Sequence, residues 1–131
     1  MKHESIVVVY DSCQAIAEEI ADKLGAETVS VQSVNSRQIE SCRSFVLAVE
    51  FKKNGELTPH WQWGCQTLTQ TNLSGKNIAV LVALGSSASH ETNKLCSQLR
   101  ENQAHIIGIR FQDNTPQYSL DNWISSISPN L

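Results

Sequence analysis

The side chains in this sequence with nucleophilic or metal-binding chemistry are four cysteines, four histidines and a small group of serines. Cys13, Cys42, Cys65 and Cys96 stand far apart, so no zinc knuckle and no CxxC redox pair is written locally. His3, His60, His90 and His105 are equally scattered. Cys13 lies where a helix is expected to begin, a setting that lowers a thiol pKa and makes it reactive. It also falls on the apolar face of that helix, which predicts a buried, inert thiol. Six places on stands Glu19, where a cysteine phosphatase needs an arginine. Ser86, Ser87 and Ser89 with His90 supply hydroxyls and an imidazole, but the strained G-x-S-x-G elbow of a serine hydrolase is absent. They read as loop and cap residues. No catalytic residue and no metal ligand is predicted.

Anion chemistry is the better candidate. Residues 10–25, YDSCQAIAEEIADKLG, follow the apolar run SIVVV and read as strand, sharp turn and helix. Backbone N–H groups and the helix dipole make such a turn a seat for phosphate. This turn, however, holds no glycine and no threonine, and it carries the carboxylate of Asp11. Asp11 and Gln14 match the D-x-x-Q capping box, so Asp11 is expected to accept the first-turn N–H bonds itself, in the place a phosphate would take. Ser12 and Gln14 remain as donors. Lys52 and Lys53 add positive charge in a later loop, and Phe51 and His90 are aromatic groups suited to sandwiching a planar ring.

These residues are placed by alternating strands and helices. Strands are predicted over residues 5–10, 27–31, 44–49, 77–84 and 104–111. Cys13, Ile16, Ala17, Ile20 and Leu24 form one face of the first helix, which Gly25 ends. Between the second and third strands the helical pattern is weak or absent. Thr58 and Pro59 open a helix as N-cap and first-turn proline, running to about residue 71. Trp61, Cys65 and Leu68 share its inner face, while Trp63 points away with Thr67 and Gln70. Residues 89–101 form another helix. Thr115-Pro116 begins the last, with Leu120, Trp123, Ile124 and Ile127 inward.

Near-continuous apolar strands imply a parallel sheet covered on both faces. The expected fold is α/β, a three-layer doubly wound sheet of five parallel strands in the order 2-1-3-4-5, in one domain spanning residues 1–131. Ligands of such sheets bind at the carboxyl ends of the strands, here the loops 10–14, 50–58 and 84–90. A net charge of −3 and the lack of a basic stripe argue against nucleic acid. No run approaches the ~20 apolar residues of a membrane span, and the N-terminus lacks secretory-signal features. A cytoplasmic protein with free thiols is expected.

Three segments carry a resemblance to a known family. They are AEEIADKLGA at residues 17–26, NGELTPHW at 54–61 and LSGKNIAVLVALG at 73–85. The chain resembles the flavodoxins over roughly residues 5 to 127. The resemblance implies a flavodoxin-like fold and a flavin mononucleotide (FMN) site in the three loops. Ser12, Cys13 and Gln14 would then face the phosphate, beside Asp11. Phe51, Lys52, Asn54, Gly55, Gly85, Ser86 and His90 would border the ring.

Each loop departs from the family's pattern. The S-x-T-G-x-T phosphate loop is shortened to Asp11–Gln14, and about six residues separate Tyr10 from AEEIA where the family has about ten. Lys52 stands where the ring-stacking tryptophan is usual, and Gly85-Ser86-Ser87 replaces Gly-Asp-Gln. The expectation is a flavodoxin-like protein with impaired or lost FMN binding, using the edge near Trp63 and Lys52 to contact a redox or regulatory protein. The alternative is a working FMN electron carrier with degenerate loops, whose chemistry would be the flavin's own.

Overall fold

The computed structural model describes the backbone of residues 6–84, 89–111 and 117–131, and the side chains of 6–82, 90–111 and 120–131. Five parallel strands, β1 (Ile6–Tyr10), β2 (Glu27–Ser30), β3 (Ser44–Glu50), β4 (Asn77–Leu84) and β5 (His105–Phe111), form one sheet in the order 2-1-3-4-5. The expected topology is the one found. Helices α1 (Gln14–Leu24), α2 (Ser36–Ser41), α3 (Pro59–Thr69), α4 (Ser89–Glu101) and α5 (Gln117–Ile127) connect and follow the strands.

Alternation along the central strands divides the core in two. Phe45, Leu47, Val49 and Phe51 point to the side of α2, α3 and α4, where they meet Ile39, Trp61, Leu68 and Leu99. Val46, Ala48, Ala79 and Leu81 point to the side of α1 and α5, against Ala17, Ile20, Leu120 and Ile124. All seven residues of β3 are buried, as a strand between two helical layers must be.

The helix ends follow local chemistry in most places. Gly25 takes the left-handed conformation, φ 67° and ψ 34°, and closes α1. Pro59 occupies the first turn of α3 as expected, although the Thr58 hydroxyl makes no capping bond. Trp61 is fully buried, and Trp123 is half-buried against the α1–α5 side. The segment between β2 and β3, where the helical pattern is weak, contains a short helix, α2, capped by Asn35 Oδ1 accepting the Gln38 N–H at 2.9 Å. Its six residues are too few to show a helical period, but its one inward side chain, Ile39, is fully buried. The start of α5 at Thr115-Pro116 lies outside the described residues.

Candidate functional site

At the carboxyl edge of the sheet, the strand alternation that turns Val46 and Ala48 toward α1 turns Glu50 the same way. The pairing of β3 with β4 slips between Val49 and Glu50. Glu50 is 3% exposed. Its carboxylate reaches the turn before α1, where it accepts the Ser12 N–H at 2.9 Å and the Ser12 hydroxyl at 2.5 Å. The Cys13 thiol lies 3.8 Å from the same carboxylate and 3.8 Å from the Ala48 carbonyl. Cys13 is the N-cap of α1, with φ −92° and ψ 54°, and makes no side-chain cap bond.

A negative charge therefore sits against the amides that lead into α1, the end of a helix that attracts anions. The charge is the protein's own. Burial removes a carboxylate from water and is tolerated only where hydrogen bonds replace the lost hydration. Ser12 supplies two. The same arrangement silences Cys13: burial first, then the charge of Glu50, pushes its thiol up to about 11. The expected inert thiol fits this environment.

The Asp11–Gln14 capping box is not formed. The helix begins at Gln14 rather than at the residue after Asp11, so Asp11 lies two positions before the N-cap and cannot serve as it. Asp11 instead meets His60 in the first turn of α3, with Nδ1 3.0 Å and 3.2 Å from its two carboxylate oxygens. The Gln14 side chain turns along its own helix to donate to Glu18 at 3.0 Å.

The loop after β3 is a tight hairpin. Phe51 and Leu57 form an antiparallel bridge. Within it the Lys52 N–H donates to the Glu56 carbonyl at 2.7 Å, and the Gly55 N–H to the Lys52 carbonyl at 2.9 Å. Asn54 Oδ1 accepts the Glu56 N–H at 3.0 Å. Gly55 has φ +88°, a conformation that favours glycine. Lys52 is exposed and lies 3.4 Å from Glu56. Phe51, bridged to Leu57, lies in the core beneath the hairpin, 5% exposed. Gly55 meets Glu91 at the start of α4, where an added Cβ would lie 3.4 Å from Cγ. His90, one residue before, is exposed. Gly85 and Ser86 lie outside the described residues.

The fold thus gathers Asp11, Ser12 and Cys13 with Glu50 and His60, and holds Lys52, Asn54 and Gly55 in one hairpin beside α4. Glu50 and His60 were missed in the sequence. A carboxylate ending the otherwise apolar run FVLAVE, at the edge where ligands bind, is the signal for the first. His60 carries none beyond its place after Thr58-Pro59. A groove of ≈ 420 Å³ runs between α3 and α4, lined by Leu57, Gln62, Cys65, Gln66, Gln98 and Asn102 among others. Among the described residues, no three His, Cys, Asp or Glu side chains gather as metal ligands.

No family profile and no curated protein sequence matches the chain. Solved structures do. The two-electron reduced flavodoxin of Megasphaera elsdenii superposes with a TM-score of 0.79, at 18% identity, over 96% of this chain and 99% of that one. The chain has the flavodoxin fold. The flavodoxin of Fusobacterium nucleatum, solved with FMN bound, gives a TM-score of 0.77 at 16% identity, covering 96% and 98% of the two chains. That of Bacillus cereus gives 0.71 at 17% identity, covering 92% of each. The flavodoxin-like sheet order and near-complete coverage agree with the resemblance carried by residues 17–26, 54–61 and 73–85. The identities are low enough that they speak for the fold alone.

Proposed function

We propose that this chain is a flavodoxin-fold binding module in which FMN binding is impaired, and that it works through contact with another protein. The carrying observation is the Glu50 carboxylate bound to Ser12 at the start of α1. In the flavodoxin pattern the loop before the first helix wraps the FMN phosphate. Here the shortened loop has its Ser12 donors already committed to a buried anion.

The residues present do not fit an FMN phosphate. At about 4 Å and an effective dielectric of about 20, two like charges repel by roughly 4 kcal/mol, and the phosphate carries close to two. Asp11, in the same turn, adds a second carboxylate. The ring side fits no better, since Phe51 is buried and Lys52 is paired within its hairpin. The exposed Trp63 and the hairpin carrying Lys52 and Lys53 leave a protein contact as the use of this edge. Among the described residues no helix is long and apolar enough to cross a membrane, and a cytoplasmic setting suits four free thiols.

The competing reading is an FMN electron carrier with degenerate loops. The fold and the glycine turn at Gly55 favour it. A visible absorption spectrum of the purified chain, taken after addition of excess FMN and dialysis, separates the two. A colourless protein is expected. A retained, stoichiometric flavin band would establish the carrier instead.

A further inference from the structure

The groove between α3 and α4 continues toward the hairpin. A second cavity of ≈ 210 Å³ lies against the hairpin and shares Leu57, Gln62 and Gln98 with the cavity of ≈ 420 Å³, so one groove runs from Glu56 to the last residues of both helices. Its walls differ in charge. The α3 wall is neutral, since residues 57–75 contain no Asp, Glu, Lys or Arg. The α4 wall presents Glu91, Lys94, Gln98 and Glu101, one stripe at helical spacing. With Glu56 from the hairpin, three carboxylates face one ammonium. Glu56 lies 3.4 Å from Lys52. Among the described residues, Glu91, Lys94 and Glu101 make no ion pair.

Hydrogen bonding adds to this bias. The Gln62 amide donates to the Leu57 carbonyl at 2.8 Å, and the Asn102 amide to the Gln98 carbonyl at 3.3 Å. Each leaves its side-chain oxygen as an acceptor. A surplus of acceptors and negative charge is met by a group that only donates. Lysine and arginine are such groups, arginine with several donors and no acceptor. Near Glu56 and Glu91, Phe51, Leu57 and Leu95 give an apolar floor that suits the methylene stem of such a side chain. Further along, the Gln66 and Gln98 amides each carry a donor and an acceptor, as a peptide unit does. Glu91 and Glu101 stand ten residues apart on α4, about 15 Å along its axis. An extended chain covers that span in about five residues. A second copy of this chain, itself net negative at −3, is a poor match for an acidic groove.

We propose that the α3–α4 groove binds an extended basic segment of a partner protein, with one arginine or lysine side chain beside Glu56 and Glu91 and a second near Glu101. The proposal names the partner's chemistry for the binding-module reading and rests on that part of it. Its test is a titration of the full chain, labelled with nitrogen-15, with three pools of blocked hexapeptides. The pools carry arginine, citrulline or glutamate at the first and sixth positions and uncharged residues between. The arginine pool should shift the side-chain amide signals of Gln62, Gln66 and Gln98, with a dissociation constant below about 1 mM. The other two pools should not bind. Glu91→Gln and Glu101→Gln should each weaken binding about tenfold, the scale of one hydrogen bond to a charged group. Lys94→Gln should strengthen it. If Glu91→Gln disturbs the hairpin by circular dichroism, the exposed Glu101 decides. Equal binding of the citrulline pool, or an arginine pool that shifts none of these signals up to about 1 mM, would overturn the proposal. So would blocked arginine alone binding as tightly as the pool, since the groove would then hold a cation and read no peptide. The flavin spectrum reports on the α1 turn and fails or succeeds independently.

Discussion

Helices α1 and α3 both start at the carboxyl edge of the same sheet, yet the residues that lead into them are held in opposite ways. At α3 the solution is local: Pro59 follows Thr58 and removes an N–H that the helix could not use. At α1 it is remote: the carboxylate that accepts from Ser12 comes from Glu50, 38 residues away in sequence. The side chains that looked local, Asp11 and Gln14, serve other partners. A turn held by a distant buried charge depends on the whole sheet being in register. One completed by its own residues does not.

The largest effect is expected where that dependence is cut. Glu50→Ala removes the buried acceptor of two Ser12 hydrogen bonds and should lower stability by about 3 kcal/mol, the upper range for bonds to a charged group. Chemical denaturation measures it, and a change near zero would show that Ser12 is satisfied without Glu50. The equivalent pressure point on α3 is steric. An added Cβ at Gly64 would lie 2.3 Å from Val31 Cγ2 in the short turn after β2. Gly64→Ala should cost about 2 kcal/mol by overpacking, and Val31→Ala in the same chain should recover part of that loss. No recovery would mean that the strain lies elsewhere.

A pH series probes the charge itself. Cys13 titrates near 9.0 when unfolded and about 11 in the fold, because burial and the nearby Glu50 disfavour its thiolate. Above pH 9 the unfolded chain releases this proton and the folded chain keeps it, so the thiol's contribution to stability is whole below pH 9 and is lost as pH rises through about 11. Glu50→Gln should lower the Cys13 pKa and speed its alkylation at mildly alkaline pH. An unchanged alkylation rate would separate the thiol from the carboxylate. The smallest effect belongs to the Asp11–His60 pair, which joins the turn before α1 to the start of α3. Asp11→Asn should change stability by about 0.5 kcal/mol or less, since His60 is more than half exposed and solvent screens the contact. A loss comparable with that of Glu50→Ala would make Asp11, after all, the residue that completes the turn.

These differences also mark what was readable in the sequence. The sheet order followed from five apolar runs and the handedness of their connections, and it is the order observed. The inward face of α3 followed from the spacing of Trp61, Cys65 and Leu68, all buried. The six-residue α2 was too short for periodicity, although Asn35 marked its start. The capping box misled because D-x-x-Q fits the residue types but not the helix start, which falls at Gln14. The burial of Phe51 was not legible, because its bridge to Leu57 is six residues on. Glu50 could be found only by counting alternation along β3 and then knowing that β1 and β3 are neighbours. The fold was written in periodic runs, whereas the site depends on which loops the sheet brings together.

The most direct test of the central claim is a fluorescence titration of FMN with the wild-type chain and with Glu50→Gln, which keeps the shape of the side chain and removes its charge. The account predicts that the wild-type chain leaves FMN fluorescence unchanged and that Glu50→Gln binds it measurably. Wild-type quenching as strong as that of Glu50→Gln would contradict it.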